Sequence, residues 1–293
     1  NTSAKKIFDA INSYSESSEV RYVGGCIRKI IKKESIDDVD LATNLKPSEV
    51  CEALKKKKIN YYETGIEHGT VTAVIDEYKY EITSLRKDVK TDGRHAKVEF
   101  SLDWKEDAVR RDFSINSIYS DARGNLFDPN NGKKDLEEGL IHFIGDAESR
   151  IKEDYLRILR YVRFFLNYSN YKHKPEIIKI IKRNMGGISK LSSERLIDEF
   201  KKLTKSHGFV KLFQDNDSLE IIEIIFPQLK NLAKFKKLNT HARDNLFKID
   251  FIFLLSLMIV DGTDNTDYFL YKFNISKKDQ KRLKLIDFFY KEK

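Results

Sequence analysis

The spacing of apolar residues changes once along this chain, near residue 145, and that change limits the folds open to it. Before that point the stretch "TVTAVIDEYKYEITS" (70–84) alternates apolar and polar residues on both sides of Asp76–Glu77. Alternation of period two, interrupted by a short polar pair, predicts two half-buried strands joined as a hairpin. "VRYVGG" (20–25) and "DDVDLAT" (37–43) predict two further strands flanking a helix around "IRKIIKK". "PSEVCEALKKKK" (47–58) predicts a helix with Pro47 at its start. After residue 145 alternation gives way to helical spacing, as in "AESRIKEDYLRILRYVRFFLNY" and "SSERLIDEFKKLTKS". The expected architecture is a multi-domain α+β chain: an α/β head with a small mixed β-sheet, then an all-helical neck and body. The boundaries expected are 1–140 for the head, 141–203 for the neck and 204–293 for the body.

Composition excludes several classes. With two cysteines, Cys26 and Cys51, no disulfide framework is available, and a reducing compartment fits. The longest apolar run, "FIFLLSLMIV" (251–260), is about half of a membrane span and predicts a buried helix. The N-terminal stretch has neither the apolar core of a signal peptide nor an Arg-rich transit pattern, so the cytoplasm is expected. The six histidines and two cysteines show no zinc-ligand spacing. A net charge of +8, with 18 Lys/Arg against 12 Asp/Glu from residue 201 onward, suggests a polyanionic partner or simply a lysine-biased composition.

The stretch "RYVGGCIRKIIKKESIDDVDLATN" (21–44) carries the chemistry. Asp38 and Asp40 are two apart, so on a strand both would project from one face. Two carboxylates there repel unless a cation lies between them, and Mg²⁺, which takes a few carboxylates together with phosphate oxygens, suits the position. Gly24–Gly25 lets a backbone approach phosphates closely at a helix start, and Arg28 would neutralise phosphate charge. Glu81, on the second strand of the predicted hairpin, could supply a third carboxylate. Read without the stretches that follow, the aspartates could equally be chance acids at a strand end.

"EDAVRRDFSINSIYSD" (106–121), "DPNNGKKDL" (128–136), "IGDAESRIKEDYLRILRYVRF" (144–164) and "SSERLIDEF" (192–200) follow in order. With the opening stretch they resemble the motifs of class II tRNA nucleotidyltransferases, the CCA-adding enzymes and bacterial poly(A) polymerases, over about residues 20–200. The resemblance implies a nucleotidyltransferase-type palm and template-independent addition of C, C and A to tRNA from CTP and ATP. It also implies a two-metal Mg²⁺ mechanism. Asp38 and Asp40 would hold magnesium and Glu81 would assist. Gly24, Gly25, Arg28, Arg110, Arg111, Asp112 and Asn116 would bind the nucleotide. Asp154 and Arg157 would read the base, with Arg160 and Arg163 further along the same helix. The Asp154–Arg157 logic follows from donors and acceptors: a carboxylate accepts from an exocyclic amine while a guanidinium donates to the adjacent ring nitrogen, the edge shared by cytosine and adenine. Glu194, Arg195 and Glu199 would support that helix, through acids near a helix start and an Arg–Glu pair one turn apart. His68 is expected to be structural, and Trp104 to lie in the core.

The chain departs from the family pattern at Lys29, where an aspartate usually follows the arginine, and in its length. Residues 86–105 are long enough to resemble the full flexible loop of CCA-adding members, and "LRKDVKTDGRHAK" (85–97) reads as a mobile loop. The alternatives left open are a CC-adding, A-adding or poly(A)-forming relative, and a tRNA-binding protein whose activity has decayed. No protein partner is expected.

Overall fold

Val20–Val23 forms strand β1, preceded by helix α1 (Thr2–Asn12). The computed structural model describes residues 2–63, 65–90 and 97–292. The chain divides into two compact units, Asn1–Asp146 and Ala147–Lys293.

In the first unit β1 runs into α2 (Gly25–Ile31), β2 (Val39–Thr43), α3 (Pro47–Lys56), β3 (Asn60–Tyr62), β4 (Thr70–Ile75) and β5 (Tyr78–Ser84). Beyond them lie β6 (Arg86–Lys90), β7 (Lys97–Phe100), α4 (Trp104–Val109), β8 (Tyr119–Ser120), β9 (Leu126–Phe127) and α5 (Gly132–Glu138). Seven strands make one mixed sheet in the order β3-β4-β5-β2-β1-β8-β9. Its neighbours are antiparallel except β2 and β5, which run parallel. The predicted β4–β5 hairpin turns at Asp76 and Glu77, both at positive φ (49° and 68°). Positive φ at both central residues is what a two-residue turn needs to match the twist of its strands.

One face of the sheet is apolar. Leu41, Val71, Ala73, Ile75, Tyr80 and Ile82 pack with Ile7, Phe8 and Ile11 of α1 and Val50 and Leu54 of α3. Helix α1 covers this face because its apolar residues recur at positions 4, 7, 8 and 11. Val23 and Ala42 face the other way, with Leu85, Ala108 and Tyr119, and Trp104 packs partly buried against them. Because neighbours along a strand alternate faces, Asp40 shares the side of Ala42.

The stretch expected to be a mobile loop is in part ordered. β6 and β7 pair antiparallel as a separate two-stranded sheet, with Arg86 opposite Phe100 and Lys87 opposite Glu99. Residues 91–96 lie outside the described residues.

The second unit is helical throughout its described residues. It comprises α6 (Ala147–Glu153), α7 (Leu156–Tyr168), α8 (Pro175–Asn184), α9 (Ser193–Thr204), α10 (Phe209–Leu212) and α11 (Asn216–Ile225). α12 (Leu232–Phe235), α13 (Thr240–Asn245), α14 (Phe251–Ile259), α15 (Asn265–Lys272) and α16 (Lys277–Lys291) complete it. Its core is aromatic: Phe200 packs on Phe226 (ring centroids 4.7 Å apart), Phe226 on Phe273 (5.5 Å) and Phe273 on Phe269 (4.8 Å). The run "FIFLLSLMIV" is the largely buried helix α14. Among the described residues no helix is long and apolar enough to cross a membrane.

Candidate active site

In the parallel β2–β5 pair Asp40 lies directly opposite Glu81, so the two carboxylates are side by side on the face away from the main apolar core. Asp38 sits differently from expectation. β2 begins at Val39, and Asp38 occupies the exposed loop residue before it, so the pair is a strand residue and its lead-in. It still acts on Asp40, whose carboxyl is raised above the ordinary range first by burial, then by the charges of Glu81 and Asp38, while Arg111 and Arg28 oppose the shift. Crowded hard-oxygen donors of this kind fit a magnesium ion. Among the described residues no three His, Cys, Asp or Glu side chains are arranged as a ready-made metal cage. Mg²⁺ asks for less, since it is held by one or two carboxylates with waters and substrate phosphates.

Gly24 closes β1 at φ +70° and donates its N–H to the Ile118 carbonyl (3.1 Å). A Cβ there would find ordinary space, 3.6 Å from the Asn116 carbonyl. Backbone conformation, not room, is therefore what requires glycine. Gly25 begins α2, and the buried Arg28 one turn on donates to the side-chain oxygen of Asn116. Asn116 in turn donates to Asp112 (2.9 Å). Asn116 and Asp112 thus orient Arg28 from within. Lys29 forms a 2.6 Å bridge to Asp37, one residue before Asp38, so the departure from the family pattern carries its own counter-charge.

The arginine pair reveals a residue that sequence reasoning missed. Asp107, with a side chain only 1% exposed, accepts from Arg110 (2.6 and 2.9 Å), Arg111 (3.1 and 3.2 Å) and the Tyr119 hydroxyl (2.6 Å). Burial works against its charge, but Arg111, Arg110 and Tyr119 outweigh burial and hold the carboxyl at about 2. The expected anion for paired guanidiniums was the nucleotide, yet the protein supplies one of its own. The available signal was helical spacing: Asp107 stands three and four residues before the two arginines.

His68 is engaged through its backbone, its carbonyl accepting from Arg86 at the root of β6. Trp104 packs edge-on against Tyr119 (5.5 Å) and lies beneath the Arg21 guanidinium (4.1 Å).

In the second unit the expected single helix through Asp154 and Arg157 is broken. α6 ends at Glu153 and α7 begins at Leu156, leaving Asp154 and Tyr155 as a turn. Asp154 accepts from the Leu156 N–H (3.2 Å), satisfying a free donor of the first turn of α7. The two residues remain linked, since the Arg157 N–H donates to the Asp154 carbonyl (3.0 Å). The buried Arg157 guanidinium is held by Glu153 (2.6 Å) and the Arg150 carbonyl (2.7 Å).

Arg195 and Glu199 do not serve as the expected i,i+4 pair. Each reaches across: Arg195 to Asp154 (2.7 Å), and the buried Glu199 to Arg163 (2.5 Å) and, more distantly, Arg160 (3.9 Å). α9 thereby fixes both the turn and the arginine row of α7. Arg163 is anchored to a buried acid, which suits holding α7 in place.

A glycine turn, strand-borne carboxylates and a clamped arginine pair on a mixed sheet define a polymerase-type head, here followed by a helical module. The Poly A polymerase head domain family matches residues 20–142, and the family described as "Probable RNA and SrmB- binding site of polymerase A" matches residues 170–232. The chain belongs to the family of CCA-adding enzymes and poly(A) polymerases. It is 39% identical over 231 residues to the human mitochondrial CCA tRNA nucleotidyltransferase 1, covering 78% of this chain and 53% of that protein. To the CCA-adding enzyme of Lactobacillus johnsonii it is 37% identical over 243 residues, covering 81% and 59%. The chain thus spans about half the length of the curated relatives it matches. The Bacillus stearothermophilus CCA-adding enzyme in complex with CTP shares the fold with a TM-score of 0.64 at 21% identity, over 100% of this chain and 78% of that one. A tRNA nucleotidyltransferase complexed with a primer tRNA and an incoming ATP analog gives 0.69 at 21% identity, over 96% and 83%.

Proposed function

We propose that this protein adds C, C and A to the 3′ end of tRNA, without a nucleic acid template, from CTP and ATP with release of pyrophosphate. The observation that carries the reading is the parallel pairing that sets Asp40 beside Glu81, with Asp38 leading into β2 and Arg28, bonded to Asn116, in the helix after Gly24. Its strongest support outside the site is the naming of relatives at 37–39% identity as CCA-adding enzymes.

Asp38 and Asp40 would hold Mg²⁺, with Glu81 beside them. When bound, the metal eases deprotonation of the attacking 3′ hydroxyl and offsets triphosphate charge. Arg28, Arg110 and Arg111 bring positive charge to the phosphates in fixed positions, so no reorganisation is needed as charge builds on the leaving group. Asp154 accepts from the exocyclic amine and Arg157 donates to the ring nitrogen of cytosine or adenine. Uracil and guanine present a carbonyl and an N–H there, a mismatch of buried polar groups that can reject a substrate by roughly 10⁴–10⁵-fold. Lys29 pairs with the exposed Asp37 and not with one of these groups, which weighs against a decayed, binding-only protein. Buried free Cys26 and Cys51 suit a reducing compartment, and we place the protein in the cytoplasm; a mitochondrial fraction is the competing outcome of cell fractionation.

A tRNA transcript lacking its last three nucleotides, incubated with Mg²⁺ and CTP, ATP or both, tests the reading. Two additions with CTP and a third only with ATP are expected. Arrest after CC, long A tails or no extension would each replace the proposal with a different member of the family's repertoire. Asp38→Ala should remove incorporation; unchanged turnover would overturn the metal assignment.

A further inference from the structure

Arg111 is held within the first unit by a buried acid. Its guanidinium donates to Asp107 through Nε and Nη2 (3.2 and 3.1 Å). Asp107 accepts from Arg110 as well and is itself fixed by the Tyr119 hydroxyl (2.6 Å). Tyr119 also accepts from Arg111 Nε (3.0 Å), and Arg111 Nη1 reaches the Asn116 carbonyl (3.5 Å). The same acid lies 3.4 Å from the Arg86 N–H, where the β6–β7 hairpin leaves the sheet. All of these groups belong to the first unit.

We propose that Asp107 is a positioning residue: it fixes both guanidiniums for the triphosphate of the incoming nucleotide. The proposal rests on the nucleotidyltransferase reading above, and the wild-type chain serves as the control for that reading.

The test compares wild type, Asp107→Asn and Asp107→Glu on the CCA-lacking transcript, with CTP varied. The transcript's affinity is measured separately by filter binding. Thermal unfolding is followed as CTP is added, which reads nucleotide binding without turnover. Asp107→Asn should raise the CTP KM roughly ten- to hundredfold, a loss typical of misplaced positioning groups. It should also raise the CTP concentration needed for half of the thermal shift, with transcript affinity unchanged, and Asp107→Glu should recover most of both losses. A CTP KM and a thermal-shift midpoint within about twofold of wild type would overturn the proposal. So would parallel loss of CTP and transcript affinity, which marks a merely structural acid. If Asp107→Asn does not fold, Tyr119→Phe carries the test, because it keeps the ring and removes one anchor of the clamp. A several-fold rise in CTP KM supports the proposal, and an unchanged KM overturns it. A wild-type chain that incorporates no nucleotide, yet shows the CTP shift that Asp107→Asn weakens, sinks the functional reading and leaves the clamp standing.

Discussion

Asp107 shows at the scale of one residue how a buried charge becomes a liability in acid. Its carboxyl is held at about 2, against an ordinary value of 3.8. A carboxylate with a depressed pKa contributes stability that is fully present above its unfolded value and is lost as the pH falls through its folded one. The window is therefore about pH 4 down to about pH 2, and the amount at stake is roughly 2 kcal/mol. Urea unfolding across that range should show the stability gap between wild type and Asp107→Asn shrinking as the pH falls; a gap constant with pH would contradict the assignment. This residue was legible in its spacing but not in its role, because the sequence offers no way to see that both arginines turn inward. Asp38 was legible as a candidate but not in its place. The strand rule put it on the face of Asp40, whereas β2 starts one residue later.

At the scale of elements, the hairpin at Asp76–Glu77 and the helices α2, α3, α9 and α14 fall where the sequence patterns put them, because each signal is local. The break between α6 and α7 is hidden from such reading. No glycine or proline marks residues 147–168, and the helical spacing runs on across the gap. Part of what shapes the turn comes from a distant segment. Gly187 lies against Tyr155 so closely that a Cβ would fall 2.0 Å from its ring. Gly187→Ala must push the ring away and with it the turn that sets Asp154 beside Arg157. A destabilisation of roughly 1–3 kcal/mol is expected, as for other overpacked sites. The ratio of kcat/KM for CTP over UTP should fall as well. Wild-type stability and discrimination in this variant would show that the turn holds its shape without the close approach.

For the whole molecule, the division into a mixed-sheet unit and a helical unit follows from the change of periodicity, while the pairing of β2 with β5 does not. Nothing in either strand names its partner, so Glu81 could be proposed from its strand but not seated beside Asp40. The net charge of +8 belongs to this scale too. If RNA is held largely by lysines, its affinity should fall by roughly 10³-fold or more between 50 and 200 mM salt, as expected when several phosphates are neutralised. Transcript binding measured across that range decides it; a nearly flat response would mean that shape, not charge, holds the RNA.

The parallel pairing of β2 with β5 has a consequence for the order in which the protein is made. Two parallel strands cannot be joined by a tight turn, and here α3, β3 and β4 lie between them. While the chain emerges from the ribosome, Asp40 leaves the exit tunnel well ahead of Glu81. Their strands can pair only once residues up to about Ser84 are free. Until then the acidic lead-in and the apolar face behind it have no neighbour on that side, a state in which nascent chains are prone to misassociate. Chains arrested before Ser84 should therefore be sensitive to protease across β2, and those arrested beyond residue 146 should be protected, with the carboxylate site appearing late and in a single step.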